Sequence, residues 1–298
     1  MRVSVIMPVE RLGGEAERAI DSVLGQRTTF PFELIVVSAA PVSIAGVRNV
    51  VENNRNPATR RNRAVSEGAG EILAFIDDDA SADPLWLQTA IDYLDRFPDV
   101  LALGGPDPAP PDSTAAELVS ETLLATPLIG SGVAAHENRR GIFPIERPSD
   151  IALVNLFVRR SAFDGFDESV GYIGEDTALI AGLMRRGTVV YHSGVKVYHR
   201  RRAFPEAYLR QRWRYRVKSG LTGIRDNRIW AFLAAGTATI VIPALWPVYY
   251  LIAFILGAIT TRLPITWWPF LPFAFAAHHL TYYFGILWGL ARNAIRTR

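Results

Sequence analysis

Three consecutive carboxylates, Asp77-Asp78-Asp79, follow directly on the apolar run Ile72-Leu-Ala-Phe-Ile76. The run is short and β-prone, and Gly68-Ala-Gly70-Glu71 precedes it, so it reads as a buried strand. The acids then sit at its carboxyl end, where open α/β sheets bind their ligands. If the chain stays extended there, Asp77 and Asp79 point one way and Asp78 the other. Three adjacent negative charges repel one another and are tolerated in solvent or around a hard cation that takes oxygen ligands. A second acidic pair, Glu175-Asp176, follows Gly174 at the start of a predicted helix, where acids also occur simply to complement the helix dipole. His199 ends a short β-prone stretch and precedes Arg200-Arg-Arg202. Its two readings are a ligand or phosphate contact and a strand-end histidine packed on Tyr198.

The flanking pattern supplies elements to position these groups. Strands are predicted over residues 3–7, 33–37, 47–51, 72–76, 100–103, 152–159, 189–191 and 195–198. Helices are predicted over residues 16–24, 57–67 with Pro57 in the first turn, and 177–186 stopped by Gly187. Another opens on Asp83-Pro84 as N-cap and first helical residue and closes before Pro98. Alternating strands and helices imply an α/β domain with a mostly parallel sheet covered on both faces. Residues 106–150 are less regular, with Pro-Ala-Pro-Pro at 108–111, a helical patch near 114–125 and a Gly/Arg-rich loop at 130–148. Lids and acceptor sites are often built from such insertions.

Composition divides the chain. Residues 1–199 carry 18 Lys/Arg against 27 Asp/Glu, a balance of −9, whereas residues 200–298 carry 14 against 2, a balance of +12. There is no cysteine, which excludes disulfides, thiolate metal sites and a catalytic thiol. Between residues 200 and 228, ten Lys/Arg are interleaved with aromatics, a pattern shared with nucleic-acid binders. The C-terminal seventy residues argue against nucleic acid. Residues 229–261 hold no charge over 33 positions, and residues 263–291 hold no Asp, Glu, Lys or Arg over 29. Each run exceeds the roughly 20 residues that cross a bilayer, and tryptophans and tyrosines of the interfacial type recur along both. The expectation is a two-span hairpin with both ends cytoplasmic, and Pro243 and Pro247 kinking the first run or marking a re-entrant segment. His278 and His279 fall inside the second run, where polar residues are functional or pack the hairpin. Three segments result: a catalytic domain at 1–199, a basic juxtamembrane segment at 200–228 and a membrane anchor at 229–298.

Taken in order, Val5-Ile-Met-Pro-Val9, Ser22-Val-Leu-x-Gln26, Arg61-Asn62, Gly70-Glu71, Phe75-Ile-Asp-Asp-Asp79, Gly165-Phe-Asp-Glu168, Glu175-Asp176 and Val197-Tyr-His199 resemble a family 2 glycosyltransferase of GT-A fold over roughly residues 3–228. The Gly104-Gly-Pro106 element and Gln211-Arg-Trp-Arg-Tyr215 resemble membrane-anchored bacterial exopolysaccharide transferases of the succinoglycan type. Two positions depart from the family. Its acidic turn after the second strand, often a contact to the nucleotide base, is Ser38-Ala39-Ala40 here, and the Gln-x-x-Arg-Trp signature of processive synthases is altered.

The resemblance implies an inverting transferase of the bacterial inner membrane, multi-pass, with its catalytic domain cytoplasmic. It would use a UDP- or GDP-sugar, a divalent cation (Mn²⁺ or Mg²⁺) and a lipid-linked glycan acceptor. Asp79 would ligate the ion with help from Asp77, and His199 would be an additional ligand or a phosphate contact. Asp77 or Asp78 would touch the ribose and metal-bound water. Pro8, Val9, Glu10 and Arg61 would face the nucleotide. Asp176 would take the acceptor's proton, with Glu175 as the alternative base. Arg210, Gln211, Arg212 and Trp213 would meet the acceptor or the anionic lipid surface. The competing readings are a simple polyprenyl phosphate acceptor and a catalytically silent scaffold.

Overall fold

A computed structural model describes residues 2–128, 139–170, 174–221 and 227–296. By internal contacts the chain forms two units, residues 1–110 with 135–200, and residues 111–134 with 201–298.

The first unit holds β1 (Val3–Pro8), α1 (Gly14–Leu24), β2 (Phe32–Ser38), β3 (Val47–Val51), α2 (Pro57–Glu67), β4 (Ile72–Phe75), β5 (Ala80–Ala82), α3 (Trp86–Arg96) and β6 (Val100–Gly104). After α4 (Ala115–Ala125), which belongs to the second unit, come β7 (Ile142–Pro144), β8 (Leu156–Arg159), α5 (Glu175–Arg186), β9 (Thr188–His192) and β10 (Val197–His199). The main sheet has the order β3-β2-β1-β4-β8-β6-β9-β7. The β3-β2-β1-β4 half is parallel, β8 runs antiparallel to both β4 and β6, and β7 is an antiparallel edge on β9.

The central strands read as unbroken apolar runs because both faces are buried. Ile72 and Ala74 point into one core with α1 and α3, while Leu73 and Phe75 point into the other with α2 and α5. Asn56 caps α2 by accepting from the Ala58 N–H, and Pro57 occupies the first turn.

Three expectations need correction. The helix after the acids starts at Trp86, not at Asp83-Pro84. Asp83 instead closes a turn, its Oδ1 accepting from the Leu85 N–H and its carbonyl from the Trp86 N–H. The predicted strand at 152–159 begins only at Leu156, because residues 153–155 wind into a 3₁₀ turn that aims the Asn155 amide inward. Helix α5 starts two residues earlier than expected, so Glu175 and Asp176 lie within its first turn. Gly174 makes that start with φ of 99°, a conformation that a side chain disfavours.

A separate two-stranded sheet pairs β10 antiparallel to β5, with His199 opposite Ala80 and Val197 opposite Ala82. On the other side of β10, the N–H groups of Val197 and His199 donate to the carbonyls of Pro106 and Pro108. Asn155, fully buried, fastens this region. Its Nδ2 donates to the Pro106 and Val195 carbonyls, and its Oδ1 accepts from Trp86 Nε1.

The second unit contains α4 (Ala115–Ala125), α6 (Glu206–Leu221), α7 (Asn227–Val241), α8 (Trp246–Thr260) and α9 (Leu271–Arg296). Thr114 and Glu117 form a capping box at the start of α4. The helix packs with Tyr208, Ala253, Leu263, Leu271 and Phe275, and Thr122 Oγ1 bonds Thr261 Oγ1 at 2.8 Å. The predicted first span is not one helix. It stops at Val241 and resumes at Trp246 after a 3₁₀ turn at Pro243–Leu245, because proline supplies no N–H to continue the ladder. Among the described residues, one segment, Pro243–Thr260, is long and apolar enough to cross a membrane. Helices α6 and α9 meet backbone to backbone. A Cβ on Gly220 would come within 2.4 Å of the Ile286 carbonyl oxygen, and one on Gly289 within 2.2 Å of the Val217 oxygen.

Replacing Asn155 with Ala leaves the Trp86 N–H and two carbonyls buried without partners. The variant is expected to lose about 3 kcal/mol of stability, measured by urea unfolding followed through tryptophan fluorescence.

Candidate active site

Strand β4 ends at Phe75, and the chain turns through the acids, with the Ala80 N–H donating to the Asp77 carbonyl. The alternation expected of an extended chain therefore does not apply. The three carboxylates diverge to three different partners.

Asp77 Oδ1 accepts from Arg61 Nη2 at 3.0 Å, and Glu175 Oε1 accepts from Arg61 Nη1 at 3.1 Å. Both the Arg61 and Glu175 side chains are only 9% exposed. The Arg61 guanidinium also lies 5.8 Å from the Phe166 ring centre. Arg61 is thus turned inward as a cross-link between two acids, where the sequence suggested a residue facing a nucleotide. Its neighbour Asn62 reaches the other way. It accepts from the Phe166 N–H and donates to the Phe166 carbonyl and to Glu168. The Arg-Asn dipeptide on α2 therefore pins the Gly165-Phe-Asp-Glu168 loop and the first turn of α5 together. Glu168 is held below the usual carboxylate range by its bonds from Asn62 and Thr59.

Asp78 Oδ2 accepts from the Glu10 N–H at 3.1 Å. Pro8, Val9 and Glu10 thereby lie beside the acids at the carboxyl end of β1, with Val9 buried and bonded to the Val37 carbonyl. Burial pushes the Asp78 carboxyl up to about 6, and the charges of Asp79 and Asp77 add to the rise against the Glu10 N–H.

Asp79 Oδ1 lies 3.2 Å from His199 Nε2, and the other imidazole nitrogen, Nδ1, lies 3.4 Å from Asp107 Oδ2. The Asp79 carbonyl also accepts from the Arg200 N–H. The order Asp79–His199–Asp107 is the work of the β5–β10 pairing and of the 106–108 segment bonded along β10. Asp107 was missed at the sequence level. Its signal was a carboxylate held between Pro106 and Pro108 just past a strand end.

The carboxylate and imidazole of Asp79 and His199 suit Mn²⁺ or Mg²⁺. No group of three or more His, Cys, Asp or Glu capable of holding a metal occurs among the described residues. An ion here would take its remaining ligands from phosphate oxygens and water, the usual arrangement for Mg²⁺ on a nucleotide. The residues therefore fit the group.

Asp176 Oδ1 accepts from the Thr177 N–H and hydroxyl, and the side chain remains partly exposed. Glu175 differs, for burial raises its pKa while Arg61 opposes the rise. Of the two acids, Asp176 is the accessible one. Ser38, where an acid was expected, is closed on itself. Its hydroxyl donates to the Ala40 carbonyl and accepts from Asn49 Nδ2. Arg210, Gln211, Arg212 and Trp213 lie on α6 in the second unit, Arg210 paired with Glu206 and Arg212 bonded to the Gln211 amide oxygen.

This charge arrangement sets two expected outcomes. Arg61→Gln leaves Glu175 buried without its counter-charge and is expected to cost about 3 kcal/mol. Adding Glu175→Gln should recover most of that loss in a double-mutant cycle. Asp78 holds its proton more tightly folded than unfolded, so its charged form opposes folding as the pH rises from about 4 through 6. In EDTA, Asp78→Asn should therefore raise the melting temperature at pH 7.5 and leave it unchanged near pH 4.

Residues 4–149 match the family described as "Glycosyl transferase family 2". A glucosyl-dolichyl phosphate glucuronosyltransferase of Haloferax volcanii is 32% identical over 120 residues, which cover 35% of this chain and 38% of that protein. The chain therefore spans well under half the length of this curated relative. Among solved structures, the mannosyltransferase PcManGT of Pyrobaculum calidifontis, in complex with GDP-Man and Mn²⁺, superposes with a TM-score of 0.56 at 19% identity, over 94% of this chain and 86% of that one. Residues 1–349 of S. aureus TarS in complex with UDP give a TM-score of 0.50 at 14% identity, over 100% and 92%. These structures share the mixed α/β GT-A fold. With the match running across the β1–β4 half-sheet and the acids it presents, residues 4–149 form a domain that belongs to glycosyltransferase family 2.

Proposed function

We propose that the chain moves a sugar from a nucleotide-sugar donor to a lipid-linked glycan, with inversion at the anomeric carbon and with the help of a divalent cation. The observation that carries this reading is the convergence, within one unit, of Asp77, Asp78, the Asp79–His199 pair and the Glu175-Asp176 turn. Asp79 and His199 would hold the ion, which when bound offsets the charge that builds on the departing diphosphate. Asp107 fixes the imidazole so that Nε2 faces Asp79. Asp77 and Asp78, with the Pro8–Glu10 backbone, line the end of the sheet where the nucleoside would lie. Arg61 keeps Glu175 and Asp77 in place rather than gripping the donor.

Direct displacement requires a base on the face opposite the leaving group. Asp176 takes the acceptor hydroxyl's proton on its carboxylate. Glu175 is occupied by Arg61 and serves as its anchor. One displacement exchanges one anomeric bond for another on the opposite face, so the product is inverted.

The acceptor rests on two supports. The Haloferax relative is named for a substrate that is already a sugar on dolichyl phosphate, which favours a lipid-linked glycan over a bare polyprenyl phosphate. The second unit presents outward apolar side chains on α8, among them Leu251 (59% exposed) and Ile259 (75% exposed), as a helix in contact with lipid would. We read Pro243–Thr260 as the membrane-embedded element and the basic α6 as lying near anionic headgroups.

Asp79→Ala and Asp176→Asn should each reduce transfer at least a thousandfold while the protein remains folded. Mass analysis of the lipid product separates the acceptors, one hexose on the lipid phosphate against one sugar added to a longer glycan. Thermal shifts with UDP or GDP should need Mn²⁺ and vanish in Asp79→Ala but persist in Asp176→Asn. Full transfer by both variants would sink the assignment of these residues, and cells that depend on the protein but are indifferent to both changes would favour the silent scaffold.

A further inference from the structure

Helices α6 and α9 run in the same direction, since Tyr208 meets His278, Arg216 meets Tyr282, and Gly220 meets Ile286 and Gly289. The glycine contacts set their register. One face of α6 then presents Tyr208, Arg212 and Arg216 at four-residue spacing, and one face of α9 presents His278 and Tyr282.

These five side chains form one cluster. The Tyr208 hydroxyl lies 2.6 Å from His278 Nδ1, and the His278 and Tyr282 ring centres are 4.2 Å apart. The Arg216 guanidinium lies 4.0 Å from the Tyr282 ring centre, and that of Arg212 lies 5.6 Å from Tyr208 and 4.8 Å from Tyr215. Both guanidiniums lie within electrostatic reach of His278. His278 is 1% exposed, Tyr208 1% and Tyr282 6%.

The cluster is positive, and its charge is not answered by an acid. Arg210 pairs with Glu206, and Arg262 with Glu121, in the same unit. Among the described residues, no carboxylate pairs with Arg212 or Arg216. Arg212 Nε, Arg216 Nε and His278 Nε2 are buried and make no hydrogen bond. When the Tyr208 hydroxyl donates to His278 Nδ1, Nε2 carries the ring proton, so the cluster holds three inward N–H groups, and the buried Tyr282 hydroxyl lies within reach of both guanidiniums. Planar guanidiniums matched with further N–H donors recognise phosphate oxygens.

We propose that Arg212 and Arg216, with His278, form a binding site for the phosphate or diphosphate of an isoprenoid lipid. The site stands on the geometry of the second unit, and the identity of its ligand rests on the lipid-linked acceptor proposed above. The rings of Tyr208, Tyr215 and Tyr282 beside the guanidiniums also suit a lipid whose charged group is followed directly by hydrocarbon.

The test uses the full chain in a neutral detergent, with farnesyl diphosphate as the probe in isothermal titration calorimetry, no nucleotide present, and inorganic diphosphate, farnesol and phosphatidylglycerol as comparators. Wild-type protein should bind farnesyl diphosphate and not farnesol, and inorganic diphosphate should compete. Arg216→Gln and Arg212→Gln should each weaken binding at least tenfold, and Arg216→Lys, which keeps the charge, should retain more than either. Gel filtration and far-UV circular dichroism establish that the variants are folded. UDP and GDP binding to the same preparations should be unchanged. Loss of nucleotide binding by the wild-type protein would count against the donor reading and leave the anion titration standing. Equal affinity in wild type and Arg216→Gln, no binding by wild type, or equal competition by phosphatidylglycerol overturns the proposal.

Discussion

Arg61 bonds both Asp77 and Glu175, and the arrangement of the acids at the carboxyl end of the parallel half-sheet depends on that double contact. Asp77 is the first of three adjacent acids, and Glu175 begins a helix 114 residues away from Arg61. Like charges at such spacing would drive the two segments apart in a medium less polar than water. A planar guanidinium with separate nitrogens for each carboxylate joins them instead. The helix that supplies it, α2, is anchored by an Asn-Pro start and by apolar packing on the sheet. Charge compensation is therefore built on the core, and Asp78, Asp79 and Asp176 find their partners elsewhere.

Much of the sheet was legible because strands buried on both faces have a local signature. The runs at 3–7, 33–37 and 72–76 needed no tertiary information. The partners of the acids did. Arg61 could be placed on a helix from its spacing, but nothing local indicates that its guanidinium points at Glu175 rather than at solvent. Asp107 lacks a local pattern beyond two flanking prolines, and its tie to His199 exists only because β10 lies beside residues 106–108. Asn155 was hidden for the same reason. An asparagine in an apolar run reads as an interruption, and its three buried bonds go to segments far away in sequence. The early start of α5 was hidden in Gly174, a residue that ends helices as readily as it begins them.

The C-terminal third shows the opposite limit. Its hydropathy is unmistakable, yet composition alone does not say where a run breaks. Pro243 ends the ladder that began before Ile229, so a stretch of 33 uncharged residues becomes two helices of 15 residues each. The helix at 115–125, which looks in sequence like part of an insertion in the catalytic domain, shares its core with Tyr208, Leu271 and Phe275. Contacts between residues more than a hundred positions apart decide such membership, and amphipathic spacing does not reveal them.

The three-residue pairing of β10 with β5 has a temporal meaning. His199 leaves the ribosome 120 residues after Asp79, and after every strand of the main sheet. Residues 4–149, the span of the family match, contain the three aspartates but neither the imidazole nor the Glu175-Asp176 turn. A nascent chain can thus expose its whole parallel half-sheet, β3-β2-β1-β4, well before the strand that carries His199 is made. A slip of one residue in that docking would turn His199 to the opposite face of the ribbon. The final pairing therefore brings His199 to Asp79 only in molecules whose first unit has finished folding.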